Sequence, residues 1–188
     1  MTTSIMIVGV GGQGTLLASK IIGSVLVKKG YDVKLSEVHG MSQRGGSVVT
    51  YVKFGDKVYS PIVDRGEADY ILSFEGLEAA RYLSYLKKDG CLVTNNAKVL
   101  PMPVITGAAE YPEGIIEKIS EKANVISINA LELALEAGTS RAVNIVLLGV
   151  LSRRMDIPEE DWLAAIEANV PPKFLEVNKK AFLLGREQ

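Results

Sequence analysis

The chain has 188 residues, 47% apolar and 23% charged, with a formal net charge of -1, a composition that suits a globular protein long enough to bury a sizeable core. That balance excludes a dedicated nucleic-acid surface, which needs a basic excess to draw phosphates, and the lysines and arginines are scattered rather than clustered. No apolar run nears the ~20 residues that span a bilayer and no signal peptide opens the chain, so no membrane partner and a cytoplasmic location are expected.

Residues 4–8, with the short, continuous and largely β-branched run Ile5, Met6, Ile7 and Val8, read as a buried parallel strand. GVGGQG follows, so that Gly9, Gly11 and Gly14 meet the spacing G-x-G-x-x-G between a strand and a helix. In that setting the first amides of the helix and the positive end of its dipole can hold a phosphate or nucleotide. The same glycines equally let a strand turn sharply and a helix pack close to the sheet, and both readings stand. Leu16, Leu17, Ile21, Ile22, Val25 and Leu26 put a broad apolar face on a helix that starts at Thr15 and closes near Lys28, Lys29 and Gly30. A second strand is expected over residues 31–37. Its Glu37 lies about 20 residues past the glycines, where a ribose-binding carboxylate sits in a dinucleotide fold; the alternative is a solvated or structurally paired acid.

The next stretch is polar and glycine-rich. Ser42, Gln43 and Arg44 offer a hydroxyl, an amide and a fixed cation, and Gly45 and Gly46 can take positive φ and present adjacent amides. That set suits an anionic or polar ligand or a partner surface, and a turn with solvated side chains is the plainer alternative. His39 has no acid partner or nucleophile to complete a catalytic set.

Residues 47–54 and 57–61, around Gly55 and Asp56, read as a β-hairpin. A buried strand is expected over 69–74, then a helix over 75–88 with Leu77, Ala80, Leu83 and Leu86 on one side, broken at Asp89 and Gly90. Residues 91–94 form the next strand, in which Cys91 acts as a small buried hydrophobe. Pro101, Pro103 and Pro112 mark an irregular excursion with a short strand at Val104 and Ile105. A helix over 115–123, a strand over 125–128 and a helix over 130–137 capped by Asn129 follow. From Ser140 onward the chain reads as helical, over 142–155, 159–168 and 173–184. The part from 143 to 151 is apolar all round, so it is buried in the core or at a subunit contact.

Together these elements predict an α/β fold, a Rossmann-like three-layer domain with a mostly parallel sheet, a β-hairpin insertion and a helical C-terminal end, in a single domain over residues 1–188. With one cysteine and one histidine, the chain can form no intrachain disulfide and no iron-sulfur or all-cysteine zinc site by itself. No metal site or catalytic residue is therefore expected. If the protein takes part in redox chemistry, the electron carriers sit on a soluble cofactor or another polypeptide.

Residues 9–14 written GVGGQG, residues 37–46 written EVHGMSQRGG, the following VYSP and the helical carboxyl end together resemble the gamma-type subunit or domain of 2-oxoacid:ferredoxin oxidoreductases. The MSQRGG spelling is most like the beta subunit of the indolepyruvate branch. The resemblance implies a small subunit supporting CoA-dependent oxidative decarboxylation of an aryl 2-oxoacid with ferredoxin as acceptor. It places thiamine diphosphate and the iron-sulfur clusters on a large partner subunit, leaves this chain without a cofactor of its own, and makes a coenzyme A contact plausible. Its candidate contact residues are Gly9, Gly11, Gly12, Gln13 and Gly14 in the first loop and Ser42, Gln43, Arg44, Gly45 and Gly46 in the second. Arg44 suits a substrate carboxylate, a coenzyme A phosphate or an intersubunit salt bridge. Two competing readings are a stand-alone Rossmann-type nucleotide-binding protein or NAD(P)-dependent reductase using Glu37, and a scaffold whose helical tail makes a homodimer.

Overall fold

The run at residues 5–8 is sealed on both faces as the middle of β1 (Thr2–Val10), as a continuous apolar run requires of a central strand. A computed structural model describes residues 2–39 and 46–188, with the backbone alone at His39. From β1, α1 (Thr15–Lys28) leads to β2 (Asp32–His39), and β3 (Ser47–Gly55) returns antiparallel and inserts between β2 and β1. On the other side of β1 lie β4 (Ala68–Ser73), β5 (Leu86–Asn95) and β6 (Asn124–Ile128), each parallel to its neighbour. The six-stranded order is β2-β3-β1-β4-β5-β6, so β3 alone runs against its neighbours.

The antiparallel excursion exists but has a different partner from the one expected. Residues 47–55 pair with β2 on one edge and β1 on the other, and residues 57–61 form no strand. The Val58 amide instead donates to Asp32 Oδ2 at 2.8 Å, which ties that segment to the start of β2.

The second expected helix is also shorter. It runs as α2 (Gly76–Tyr82), tightens into a single 3₁₀ turn at Leu83–Tyr85, and gives way to β5 at Leu86. Residues 87–90 are extended because Leu86 pairs with Ala68 and the register then shifts before Tyr70 meets Cys91. A side chain at Gly90 would lie 3.0 Å from the Ala68 and Asp69 carbonyls, so glycine permits the close approach at this bulge.

Val104 and Ile105 belong to a short helix, α3 (Met102–Ile105), rather than a strand. Then come α4 (Ile115–Ser120), ending earlier than expected, and α5 (Ala130–Ala137), capped where Asn129 Oδ1 accepts the Glu132 amide at 3.3 Å. The chain finishes in α6 (Val143–Ser152), α7 (Glu159–Asn169) and α8 (Leu175–Arg186).

Alternating side chains of the sheet feed two cores, giving three layers. Ile5, Ile7, Leu72 and Val93 pack with α1, α5, α6, α7 and α8, whereas Met6, Val8, Ile71 and Leu92 pack with α2 and α4. Cys91 is buried in the first core, and burial pushes its thiol above the ordinary range. The all-apolar α6 is a core element, crossing α8 where Gly149 and Gly185 meet. A Cβ on Gly149 would lie 2.2 Å from the Phe182 carbonyl oxygen, and one on Gly185 would lie 2.0 Å from that of Val146. Among the described residues, no helix is long and apolar enough to cross a membrane.

Candidate functional site: the glycine loop and its crevice

Helix α1 leaves β1 toward one face and α2 leaves β4 toward the other. Sheets of this kind open a crevice at the carboxyl ends of the strands where that divergence occurs. The glycine loop occupies it. Gly12 and Gly14 take φ of +98° and +87°, which favours glycine there, and Gly14 caps α1 with no side-chain acceptor on the first amides of the helix. The Gly11 amide donates to the Gly46 carbonyl at 2.9 Å, so the last residue of the second loop meets the first loop through the backbone.

Gln13 has a structural use that its motif position does not announce. Its Oε1 accepts the Val10 amide at 2.7 Å and its Nε2 donates to the Phe74 carbonyl at 3.2 Å. The side chain therefore braces the turn after β1 against the turn after β4. A Cβ at Gly9 would lie 2.8 Å from Gln13 Oε1, so a glycine at that position leaves room for the brace.

Two hollows flank the loop. One, of about 510 Å³, is lined by Gly12, Gln13 and Gly14 with Asn95, Ala97, Leu131, Ser140, Arg141, Val143 and Asn144. The other, of about 370 Å³, is lined by Gly11, Gly12, Gly14, Thr15, Leu16, Glu37 and Val48. The larger has the size of a small-molecule crevice and mixes apolar walls with a few polar groups. Arg141 stands exposed in the 3₁₀ turn Ser140–Ala142. Its guanidinium forms no ion pair among the described residues, which leaves a planar cation at the crevice wall. Asn144, 4% exposed, donates from Nδ2 to the Gly14 carbonyl at 3.2 Å. Sequence reasoning did not single out Arg141 or Asn144. Their signal is faint: one amide and one cation at the head of an otherwise apolar helix, some 130 residues from the loop they face.

Buried carboxylates hold the surrounding walls. Glu75, 1% exposed, accepts the Glu78 amide at 2.9 Å on Oε2, and on Oε1 the Val99 amide at 3.2 Å and the Tyr111 hydroxyl. It thereby straps the excursion after β5 across the end of α2. Burial, then the hydrogen bond to Glu75, pushes the Tyr111 hydroxyl well above the usual phenol range. Glu78 accepts from the Ser47 hydroxyl and pairs with Arg81 Nε at 3.1 Å, which fixes the start of β3 beside Gly46.

The structure thus brings Gly9, Gly11, Gly12, Gln13, Gly14 and Gly46 together. Ser42, Gln43, Arg44 and Gly45 lie outside the described residues, as does the His39 side chain. Glu37 does reach the smaller hollow. However, β3 separates β2 from β1, which sets Glu37 one strand spacing, about 4.8 Å, farther out than in an uninterrupted dinucleotide fold. Among the described residues, no three His, Cys, Asp or Glu side chains come together to hold a metal ion.

Fold and crevice define a three-layer α/β protein with a ligand-sized cleft beside its glycine loop. Residues 4–188 match the family described as pyruvate ferredoxin/flavodoxin oxidoreductase. Indolepyruvate oxidoreductase subunit IorB of Pyrococcus horikoshii is 47% identical over 188 residues, covering 97% of this chain and 93% of the relative. The protein of the same name from Thermococcus kodakarensis is 46% identical over the same shares. The crystal structure of the gamma subunit of keto/oxoacid ferredoxin oxidoreductase from Geobacter sulfurreducens matches with a TM-score of 0.74 at 24% identity, over 98% of this chain and 96% of that one. The chain belongs to the pyruvate ferredoxin/flavodoxin oxidoreductase family, as a small subunit of the indolepyruvate oxidoreductase kind. The gamma-type resemblance is borne out, and a stand-alone nicotinamide-dependent reductase is not favoured.

Proposed function

We propose that this chain works in the cytoplasm as one unit over residues 1–188, the small subunit of an aryl 2-oxoacid:ferredoxin oxidoreductase, with coenzyme A as the acyl acceptor and ferredoxin as the electron acceptor. The observation that carries this reading is the identity of 47% over nearly the whole length of an indolepyruvate oxidoreductase subunit. A large partner subunit holds thiamine diphosphate and iron-sulfur clusters, which supply the carbanion chemistry and the single-electron steps.

This chain's part is to bind and orient coenzyme A and to exclude water at the subunit boundary. The crevice fits the anionic end of that molecule. Its volume of about 510 Å³ admits part of such a ligand, Arg141 supplies a cation at the wall, and α1 begins there without a side-chain cap. Gly12, Gln13 and Gly14 line that crevice and Gly11 the smaller hollow, with Gly9 in the turn that carries them, and the open side of Gly12 lets a ligand approach the backbone. Ser42, Gln43, Arg44, Gly45 and Gly46 are the further residues assigned by this reading to the ligand or the partner, with Arg44 as their cation.

The test is kinetic. In the complex assembled with the large subunit, Arg141→Ala raises KM for coenzyme A about tenfold, the scale of one lost charge-assisted contact, and leaves KM for the 2-oxoacid within about twofold. An unchanged KM for coenzyme A refutes the crevice assignment.

A further inference from the structure

We infer that Asn144 is a positioning residue for the glycine loop, so that the C-terminal helical layer, and not the sheet alone, sets the shape of the crevice. The inference rests on the coenzyme A reading above. The Gly14 carbonyl accepts two donors, the Ala18 amide at 3.3 Å and Asn144 Nδ2 at 3.2 Å. The first is the opening hydrogen bond of α1, and the second arrives from α6. Asn144 Oδ1 in turn accepts the Ile145 amide at 3.0 Å, so both ends of this buried carboxamide are engaged and its orientation is fixed. The fit is close: a Cβ on Gly14 would lie 2.6 Å from Asn144 Nδ2. Helix α6 is itself locked by its backbone contact with α8 at Gly149 and Gly185, and Arg141 stands one turn before Asn144. One turn of chain therefore supplies both the cation at the crevice wall and the donor that holds the glycine loop opposite it.

Asn144→Asp is the informative variant. It keeps the shape and the acceptor for Ile145 but sets a carboxylate oxygen against the Gly14 carbonyl, so the loop is pushed away while α6 stays packed. In the complex assembled with the large subunit, KM for coenzyme A is expected to rise about tenfold while kcat and KM for the 2-oxoacid stay within about twofold. In the purified full chain, amide hydrogen exchange over residues 11–17 is expected to quicken about tenfold with α8 unchanged. Unchanged exchange at the loop overturns the inference, and so does an equal loss of protection in α8, which marks a merely structural role. If Arg141→Ala raises KM for coenzyme A and Asn144→Asp does not, this inference falls and the coenzyme A reading stands. If neither moves it, the coenzyme A reading falls and the exchange result alone decides Asn144. Should Asn144→Asp not fold, Asn144→Ser carries both measurements with the same outcomes.

Discussion

Gly14 is under two constraints, a φ of +87° and a carboxamide that would sit 2.6 Å from any Cβ, whereas Gly12 has φ of +98° and open space around it. The pair separates backbone strain from steric conflict. Gly12→Ala is expected to cost about 1–2 kcal/mol from the left-handed backbone alone. Gly14→Ala is expected to cost about 2 kcal/mol more, and Asn144→Ala in the same chain recovers part of that excess but none of the strain. Urea midpoints of the three single variants and the double variant check this, and equal losses for the two glycines contradict it.

Tyr111 gives a pH signature at the same scale. Its folded-state pKa is raised, so the folded chain keeps the phenol proton where the unfolded chain has lost it. Stability from this group is therefore whole below about pH 10 and falls as the pH climbs toward the raised value. Burial raises Tyr51 and Tyr70 in the same direction, so Tyr111→Phe reduces the alkaline slope without abolishing it. At neutral pH the variant leaves Glu75 Oε1 one donor short, at about 1–2 kcal/mol. A difference from the parent that stays constant between pH 7 and about pH 11 contradicts the assignment.

Among the elements, the α6–α8 crossing has least room for change. Gly149→Ala sets a methyl 2.2 Å from a backbone oxygen, so the helices must separate, and a loss of about 3 kcal/mol or more is expected by thermal or urea unfolding. A variant as stable as the parent means that the crossing is looser than described.

Elements with their own periodicity were legible in the sequence. The buried run at 5–8, the apolar face of α1 and the Asn129 cap of α5 all depend on residues within a turn or two of each other. Partnership was not legible. Gly55 and Asp56 carry a local turn signal that suggests pairing of 47–54 with 57–61, and only the tertiary fold reveals that β3 lies between β2 and β1. Leu86 likewise continues the helical spacing of Leu83, and its pairing with Ala68 overrides that spacing. At the site, the glycines announced the loop, but Gln13 proved to be a brace and the facing side chains came from α6 and the turn before it. A contact across 130 residues leaves no local pattern to read.

At the scale of the whole molecule, the chain presents a formed crevice with a cation and helix-end amides. The described residues bring together no metal-binding cluster. The family it belongs to is one of oxidoreductases, and the proposal is that this module completes an active site whose reacting groups sit on another polypeptide. Reconstitution tests that claim most directly. Indolepyruvate-dependent, coenzyme A-dependent ferredoxin reduction is measured for this chain alone, for the large thiamine and iron-sulfur subunit alone, and for their mixture. The account predicts no turnover from this chain, little from the large subunit and full activity on mixing; full activity from the large subunit alone would contradict it.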